Sequence, residues 1–196
     1  MAKRVPYGEG RELLIRATVA VVAERGLRGL TFRAAAERAG ASNTLVARHF
    51  GTRDALLEAA LEWAIERTIQ STSLLDLSSE NRFADALVDA LAVEPELQVF
   101  QYEMILEARR SPAVREMVER LYDRYVHAMV QSLLQFGLAG DVEPVARQMF
   151  ATLDGLVLEH IAGVDRGTLR QSLHQVWKNL EQLRENHSVQ AQAEPA

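Results

Sequence analysis

The stretch TFRAAAERAGASNTLVARHFGTR, Thr31–Arg53, contains the start and stop signals of two short helices. Thr31 is expected to cap the first helix, because its side-chain oxygen can accept a backbone N–H at a helix start. Gly40 is expected to end that helix, and Ser42 to cap a second one that Gly51 closes. Two short helices joined by a tight glycine-containing turn predict a helix-turn-helix unit.

The second of these helices has one side that faces the protein and another that faces outward. Ala41 and Val46 are expected to point to the core, against a thin inner face of the first helix formed by Ala35, Ala36 and Ala39. The outer face then consists of small and polar residues, which are Asn43, Thr44, Ala47 and Arg48. Asn can pair with an adenine edge, and Arg with guanine or with phosphate.

Residues at helix starts and beside the motif are expected to hold a DNA backbone. Arg53 stands at the start of the next predicted helix, which follows Gly51, and there its charge and nearby backbone N–H groups can bind phosphate. The full predicted DNA-binding set is Thr31, Arg33, Ser42, Asn43, Thr44, Arg48, His49 and Arg53. By pattern alone, an ordinary helical hairpin remains an alternative.

Charge is distributed unevenly along the chain. Residues 1–53 contain ten Lys/Arg and four Asp/Glu, a net charge of +6, and the remainder contains 12 and 23, a net charge of −11, which together return the formal −5. A basic N-terminal quarter on an acidic chain favours a polyanionic partner at one end. A solvated basic face is the alternative.

The rest of the chain shows helical spacing of apolar residues, so we predict an all-α fold of about nine helices. The predicted limits are a DNA-binding domain at 1–53, a connecting helix at 54–73 that transmits a signal, a larger helical domain at 74–187 and a disordered tail at 188–196. Cysteine is absent, which fits a cytoplasmic location. No stretch reaches the length of a membrane span, and we expect no membrane partner.

Residues 10–61 closely resemble the DNA-binding domain of TetR/AcrR-type bacterial transcriptional regulators. The segments that carry the resemblance are RELLIRATVAVVAERGLRGLT, AAERAGAS and ARHFGTRDALLEAAL. The family's usual Tyr, a phosphate contact, falls on Ala47 here, and Arg53 replaces the usual Lys. The remaining two thirds resembles the family in its helical layout and in the segment ATLDGLVLEH.

This resemblance implies a homodimer that forms through the last two helices of each subunit. The apolar residues on those helices that we assign to the interface are Leu153, Val157, Leu173, Trp177 and Leu180. Burial in the core of a single chain is the alternative, because a wide apolar stripe indicates burial without naming the partner.

The resemblance also implies a small-molecule pocket in the larger helical domain, where an effector would bind. The candidate lining residues are Phe100, Met104, Tyr122, Tyr125, Met129 and Phe150. Such residues at helical spacing are also typical of a core. Polar residues on the same helices, Asp154 among them, would contribute if they face inward, and a buried carboxylate would then favour a cationic ligand.

Enzyme chemistry finds little support in the residues. GEGRELL lacks the Lys-Ser/Thr ending of a phosphate-binding loop, the five histidines lack metal-ligand spacing, and no serine lies in a nucleophile elbow. We therefore expect no catalytic residue, metal or cofactor. The predicted function is a ligand-responsive repressor that binds a duplex DNA operator. The alternatives are a helical small-molecule-binding protein with a vestigial DNA-binding domain, and a helical enzyme.

Overall fold

The computed structural model describes the backbone of residues 7–71 and 77–193, and the side chains of residues 10–70 and 77–186. These residues form nine α-helices and no strand, which confirms the predicted all-α fold. The helices are α1 Tyr7–Arg25, α2 Phe32–Ala39, α3 Asn43–Phe50, α4 Arg53–Ser71, α5 Glu80–Val93, α6 Pro95–Ala108, α7 Pro112–Phe136, α8 Glu143–Ile161 and α9 Arg166–Ala193. A 3-10 turn, Leu27–Gly29, lies between α1 and α2. Within the described part of the chain, no helix could cross a membrane.

Helix ends follow local signals in the sequence. Pro112 begins α7, and a proline lies in the first turn of α6 and of α8, where its missing N–H costs nothing. α9 continues through Ala193, so residues 188–193 are helical where a disordered tail was predicted, and residues 194–196 lie outside the described residues. Residues 74–76, where the predicted larger helical domain begins, also lie outside the described residues, and α5 begins at Glu80.

The chain divides into two compact units. The N-terminal unit comprises the residues up to Arg67 together with Glu94–Leu121, and the C-terminal unit comprises Thr68–Val93 and the residues from Tyr122 onward. The division falls inside α4 and inside α7. The predicted limits differ from these units, because they assign α6 to the larger helical domain, whereas α6 packs against α1.

The core of the N-terminal unit forms where α1 packs on α6 and on α2. Its fully buried side chains include Leu14 and Val21 from α1 and Phe100 and Met104 from α6. Thr18 is also fully buried, and its hydroxyl is satisfied because it donates to the Leu14 carbonyl at 2.8 Å.

The core of the C-terminal unit forms where α9 packs against α5 and α8. The Trp177 ring of α9 lies 5.9 Å from that of Phe83 and 5.3 Å from that of Phe136, measured between centroids. At the edge of this core, His174 contacts Glu80 at 3.0 Å. The aromatic contacts make Trp177 a central packing residue of this unit.

Candidate nucleic-acid interface

The two helices of the motif begin and end as predicted. Thr31 Oγ1 accepts the N–H of Ala34 at 3.0 Å, and Ser42 Oγ accepts the N–H of Leu45 at 3.2 Å. Gly40 adopts the left-handed conformation, with φ 63° and ψ 29°, which glycine reaches without steric cost. These contacts turn the chain within three residues, between the end of α2 and the start of α3.

The inner face of α2 is formed by small side chains, as its alanines predict. Ala35 and Ala36 are buried, although Ala34 takes the third buried position and Ala39 is only half-buried. On α3 the side chain of Val46 is fully buried. Small residues on α2 let α3 approach closely, so α3 lies directly on the helix that precedes it.

The outer face of α3 is exposed where the sequence predicts it. All four of its residues, Asn43, Thr44, Ala47 and Arg48, are exposed. They follow the helical period, so they form one strip along the helix. This strip presents an amide, a hydroxyl and a guanidinium, the groups that read base edges in the major groove.

The capping residues still have hydrogen-bonding capacity. Thr31 and Ser42 are exposed, and each accepts a backbone N–H through its side-chain oxygen. A hydroxyl is also a donor, and this hydrogen is not used by the cap. Either side chain can therefore cap its helix and donate to a phosphate oxygen at the same time.

Arg33 is exposed but paired with a neighbouring carboxylate. Its Nε donates to Glu37 Oε1 at 2.7 Å, and this hydrogen bond, with the attraction between the charges, raises the pKa of Arg33. Exposed pairs of this kind are weak because water competes with them. A phosphate can therefore replace Glu37 as the partner of Arg33 at small cost.

The Arg53 side chain has two intrachain partners that the sequence did not predict. Its Nη2 donates to the Leu27 carbonyl at 2.6 Å, and its Nε donates to the Leu30 carbonyl at 3.1 Å. The guanidinium therefore contacts the turn between α1 and α2. A guanidinium carries five N–H groups, so donors beyond these two exist for a phosphate.

His49 and the N-terminal helix meet at the end of α3. His49 is half-buried, with its ring 6.0 Å from that of Phe50 and its Nε2 close to Gly10 of α1. The guanidinium of Arg11 lies 5.4 Å from the Phe50 centroid. Arg11 thus adds positive charge beside α3, a position that sequence spacing did not reveal because α1 and α3 meet only in the folded chain.

The predicted pocket residues belong to two different units. Phe100 and Met104 are fully buried in the N-terminal unit, whereas the other four lie in the C-terminal unit. There Phe150 stacks on Tyr125 with centroids 5.3 Å apart and meets Tyr122 edge-on at 5.7 Å. Burial first, and then the charge of Asp154, raises the pKa of the Tyr122 hydroxyl.

Met129, the remaining predicted pocket residue, is fully buried on α7. Among the predicted pocket residues, the aromatic contacts thus gather Tyr122, Tyr125 and Phe150 into one cluster in the C-terminal unit.

The residues predicted for the dimer interface are buried within the single chain. Their exposed fractions are 6% or less, for Leu153, Val157, Leu173, Trp177 and Leu180. They therefore fill the core between α8, α9 and neighbouring helices of the C-terminal unit, which was the alternative interpretation of the apolar stripe. The apolar side chains exposed on α8 are others, Leu158 at 52% and Ile161 at 40%.

Two short capped helices, the second with an exposed polar strip, define a helix-turn-helix protein of the DNA-binding class. The family model described as bacterial regulatory proteins, tetR family, matches residues 14–60. The model described as tetracyclin repressor-like, C-terminal domain, matches residues 78–179, which is more than half of the chain. The chain belongs to the TetR family of bacterial transcriptional regulators, as the resemblance of its N-terminal segment predicted.

Individual relatives agree with this family. The chain is 26% identical over 175 residues to the HTH-type transcriptional regulator CymR of Pseudomonas putida, covering 84% of this chain and 85% of CymR. A TetR-family regulator from Rhodococcus sp. matches with a TM-score of 0.73 and 25% identity, over 88% of this chain and 98% of that one.

The multidrug binding protein EbrR is also similar in structure. Its structure with imidazole matches with a TM-score of 0.61 and 26% identity, covering 85% of this chain and 93% of EbrR. Its structure with proflavin matches with a TM-score of 0.57 and 25% identity, covering 85% and 99%.

Proposed function

We propose that this transcriptional regulator is a ligand-responsive repressor, which binds a specific DNA operator as a homodimer and leaves it when a small molecule binds. The observation that carries the proposal is the exposed polar strip of α3, held in place by side-chain caps on both α2 and α3. A rigid helix with one polar side is the element that reads the major groove in helix-turn-helix proteins.

In this proposal the strip on α3 reads the operator sequence. Asn43, Thr44 and Arg48 contact base edges, since an amide and a guanidinium each match a distinct edge pattern. Ala47 contributes no hydrogen bond, so its methyl group is limited to apolar contact, such as with a thymine methyl. Three side chains of α3 thus recognise the operator sequence through hydrogen bonds.

The flanking residues hold the phosphates and set the register. Thr31 and Ser42 donate their unused hydroxyl hydrogens, and Arg33 exchanges Glu37 for a phosphate. His49 and the remaining donors of Arg53 complete the backbone contacts. Contacts of this kind add affinity for any sequence and make binding sensitive to salt.

The homodimer of this proposal forms through α8 and α9. A groove of about 260 Å³ lies between these helices, lined by Val145, Gln148, Met149, Thr152, Val176, Asn179, Leu180 and Leu183. Leu158 and Ile161 add exposed apolar area on α8. Two copies joined by a two-fold axis would bury these surfaces and present two α3 helices to successive major grooves.

The effector of this proposal binds in the C-terminal unit, near the cluster of Tyr122, Tyr125 and Phe150. Full burial favours a core role for Phe100, Met104 and Met129. Aromatic faces and the half-buried Asp154 suit a flat cation, and the EbrR complexes with imidazole and proflavin support this ligand class. A tenfold release from DNA needs about 1.4 kcal/mol of coupling, and DNA must weaken ligand binding equally.

The decisive experiment measures binding of the full chain to DNA from both sides of its own gene. Fluorescence anisotropy should find one fragment that binds about a thousandfold more tightly than random-sequence duplex of equal length. Equal affinity for the gene-flanking fragments and for the random-sequence duplex would refute sequence-specific regulation. If the chain binds neither kind of DNA, the alternative of a vestigial DNA-binding domain is favoured.

A second experiment tests the effector site with proflavin as the probe, on DNA-free protein because proflavin also binds DNA. Proflavin should bind the native chain, and Asp154→Asn should weaken binding about tenfold, whereas Asp123→Asn, an exposed carboxylate of the same unit, should not. Equal affinities for both variants would contradict the proposed role of Asp154.

A further inference from the structure

Both backbone polar groups of Leu27, in the turn between α1 and α2, are held by charged side chains. The N–H of Leu27 points at Glu103 Oε2 of α6, 3.4 Å away, and its carbonyl accepts from Arg53 Nη2 of α4 at 2.6 Å. Arg53 Nε also donates to the Leu30 carbonyl. All these residues belong to the N-terminal unit.

Each charge matches the partial charge of the group that it contacts. The Glu103 carboxylate faces the N–H of Leu27, which is partly positive, and the Arg53 guanidinium faces the Leu27 carbonyl oxygen, which is partly negative. These groups belong to the two peptide units on either side of the Leu27 Cα, so the two contacts hold the backbone immediately before and after this residue. The two side chains therefore act on the turn as a pair, although neither contacts the recognition helix α3 through these bonds.

Packing holds Glu103 in this position. Its neighbours Phe100 and Met104 are fully buried, which fixes that face of α6. Gly26 has a φ of 68°, and a Cβ there would lie 3.3 Å from Glu103 Oε2. Only glycine combines this backbone conformation with such a close approach.

The position of Arg53 joins the turn to the helix-turn-helix. Arg53 begins α4 three residues after Phe50, the last residue of α3. The buried side chains of Leu27 and Leu30 anchor the other end of the contact, next to the start of α2. Arg53 thus bridges the entry to α2 and the exit from α3.

We propose that Glu103 and Arg53 clamp the backbone of Leu27 and so position the helix-turn-helix against α1 and α6. We call this set, Glu103, the Leu27 backbone and Arg53, the Leu27 clamp. Both side chains are positioning residues for the proposed DNA binding, on which this inference rests. The main contribution of Arg53 to affinity is then made through the turn, and its phosphate contact is secondary.

The clamp and a phosphate contact respond differently to Arg53→Lys. Lysine keeps the charge that a phosphate needs, but its single ammonium cannot reproduce the planar fork that reaches two carbonyls. The clamp predicts that Arg53→Lys lowers operator affinity on the order of tenfold with an unchanged dependence on salt. A dominant phosphate contact predicts near-native affinity for Arg53→Lys, and a salt slope lower by about one for Arg53→Gln.

Amide hydrogen exchange of the free full-length chain tests the clamp without DNA. Exchange of the segment 26–31 should rise on the order of tenfold in Arg53→Lys and in Glu103→Ala, and less in Glu103→Gln, which keeps an acceptor oxygen. The matched controls are Glu107→Gln, which removes a carboxylate one turn further along α6, and Arg28→Lys in the same turn. Both controls should leave exchange at the native rate.

The combined variant Glu103→Ala/Arg53→Lys adds a test of cooperation. Its affinity loss should be smaller than the product of the single losses, because either single change already loosens the same turn. Native exchange of 26–31 in Arg53→Lys and Glu103→Ala would overturn the clamp. If the native chain binds no operator, the proposed function fails, whereas the exchange experiment still decides the clamp.

Discussion

The α2–α3 pair and the α8–α9 pair each consist of two helices that are neighbours in sequence, but the first pair exposes polar side chains and the second exposes apolar ones. The outer strip of α3 exposes Asn43, Thr44 and Arg48, and α8 exposes Leu158 and Ile161. A polar, partly cationic strip can bind a hydrated polyanion without burying apolar groups against water. Burial of exposed leucine and isoleucine is favourable only when another apolar surface covers them.

In both helix pairs the exposed residues differ from the core residues behind them. Behind α3 the core contains the small residues Ala35 and Ala36, and behind α8 and α9 it contains the ring of Trp177. Changes to the exposed strips should therefore alter what the protein binds, and changes to the cores should alter its stability. The predictions below test that separation, from the largest expected effect to the smallest.

The largest effect is expected for Trp177→Ala, in the core behind α9. The side chain is 4% exposed and contacts two aromatic rings, so its removal should cost about 3–5 kcal/mol of unfolding free energy. Urea unfolding measures this cost. The exposed neighbour Lys178→Ala should stay within about 0.5 kcal/mol of the native chain, and equal costs for the two variants would refute a core role for Trp177.

The next effect concerns the exposed residues of α8. Leu158→Asp combined with Ile161→Asp should weaken self-association about a hundredfold or more. In a two-fold interface both subunits carry the new charges, and association would bury all of them. Sedimentation equilibrium over a range of concentrations measures it. Leu106→Asp, at a 67% exposed leucine of the N-terminal unit, is the control and should leave self-association unchanged. Unchanged self-association in the double variant would remove α8 from the proposed interface.

Removal of one side chain from the strip on α3 should have a smaller effect. Arg48→Ala is expected to cost about 1–3 kcal/mol of operator binding and to relax sequence preference at one base pair. Anisotropy titrations on the operator and on single-base variants measure both. Arg147→Ala removes the same charge from an exposed position on α8, and a loss as large as that of Arg48→Ala would point to a general charge effect.

The helix caps should contribute about 1 kcal/mol each to stability. Thr31→Ala removes the acceptor of the Ala34 N–H, and Ser42→Ala removes that of the Leu45 N–H. Thr31→Ser, which keeps a hydroxyl at this position, should retain the cap. Thr152→Ala is the matched control, since this hydroxyl donates to a carbonyl inside α8 and caps no helix start. Chemical unfolding in which Thr31→Ala and Thr152→Ala behave alike would contradict the assignment.

The smallest effect is a pH dependence at the start of α9. Hydrogen bonds from the Thr168 hydroxyl and from backbone N–H groups lower the pKa of Asp165. A lowered pKa stabilises the fold above the ordinary aspartate range, and the contribution is lost as the pH falls through the folded-state value. The protection factor of amides near residue 168, which corrects for the slower intrinsic exchange at low pH, should therefore fall at low pH in the native chain and fall less in Asp165→Asn. Identical pH profiles would exclude Asp165 as the cause.

The helix-turn-helix was predictable because its signals are local. Thr31 and Ser42 each cap an amide three residues away, and Gly40 and Gly51 end their helices at the next position. Contacts over three or four residues depend on neighbouring side chains and on φ and ψ alone. The exposed strip of α3 then follows from the helical period.

The sequence by itself thus determined the helices, the motif and, through the resemblance, the family. Tertiary structure alone decided where the longer-range groups lie. Arg53 finds its carbonyl partners 23 and 26 residues away, and α6 joins the N-terminal unit although it follows Val93 in the chain. Leu173 and Trp177 are buried within the single chain. The sequence could not decide this, because an apolar stripe has the same period whether its own chain or a second copy covers it.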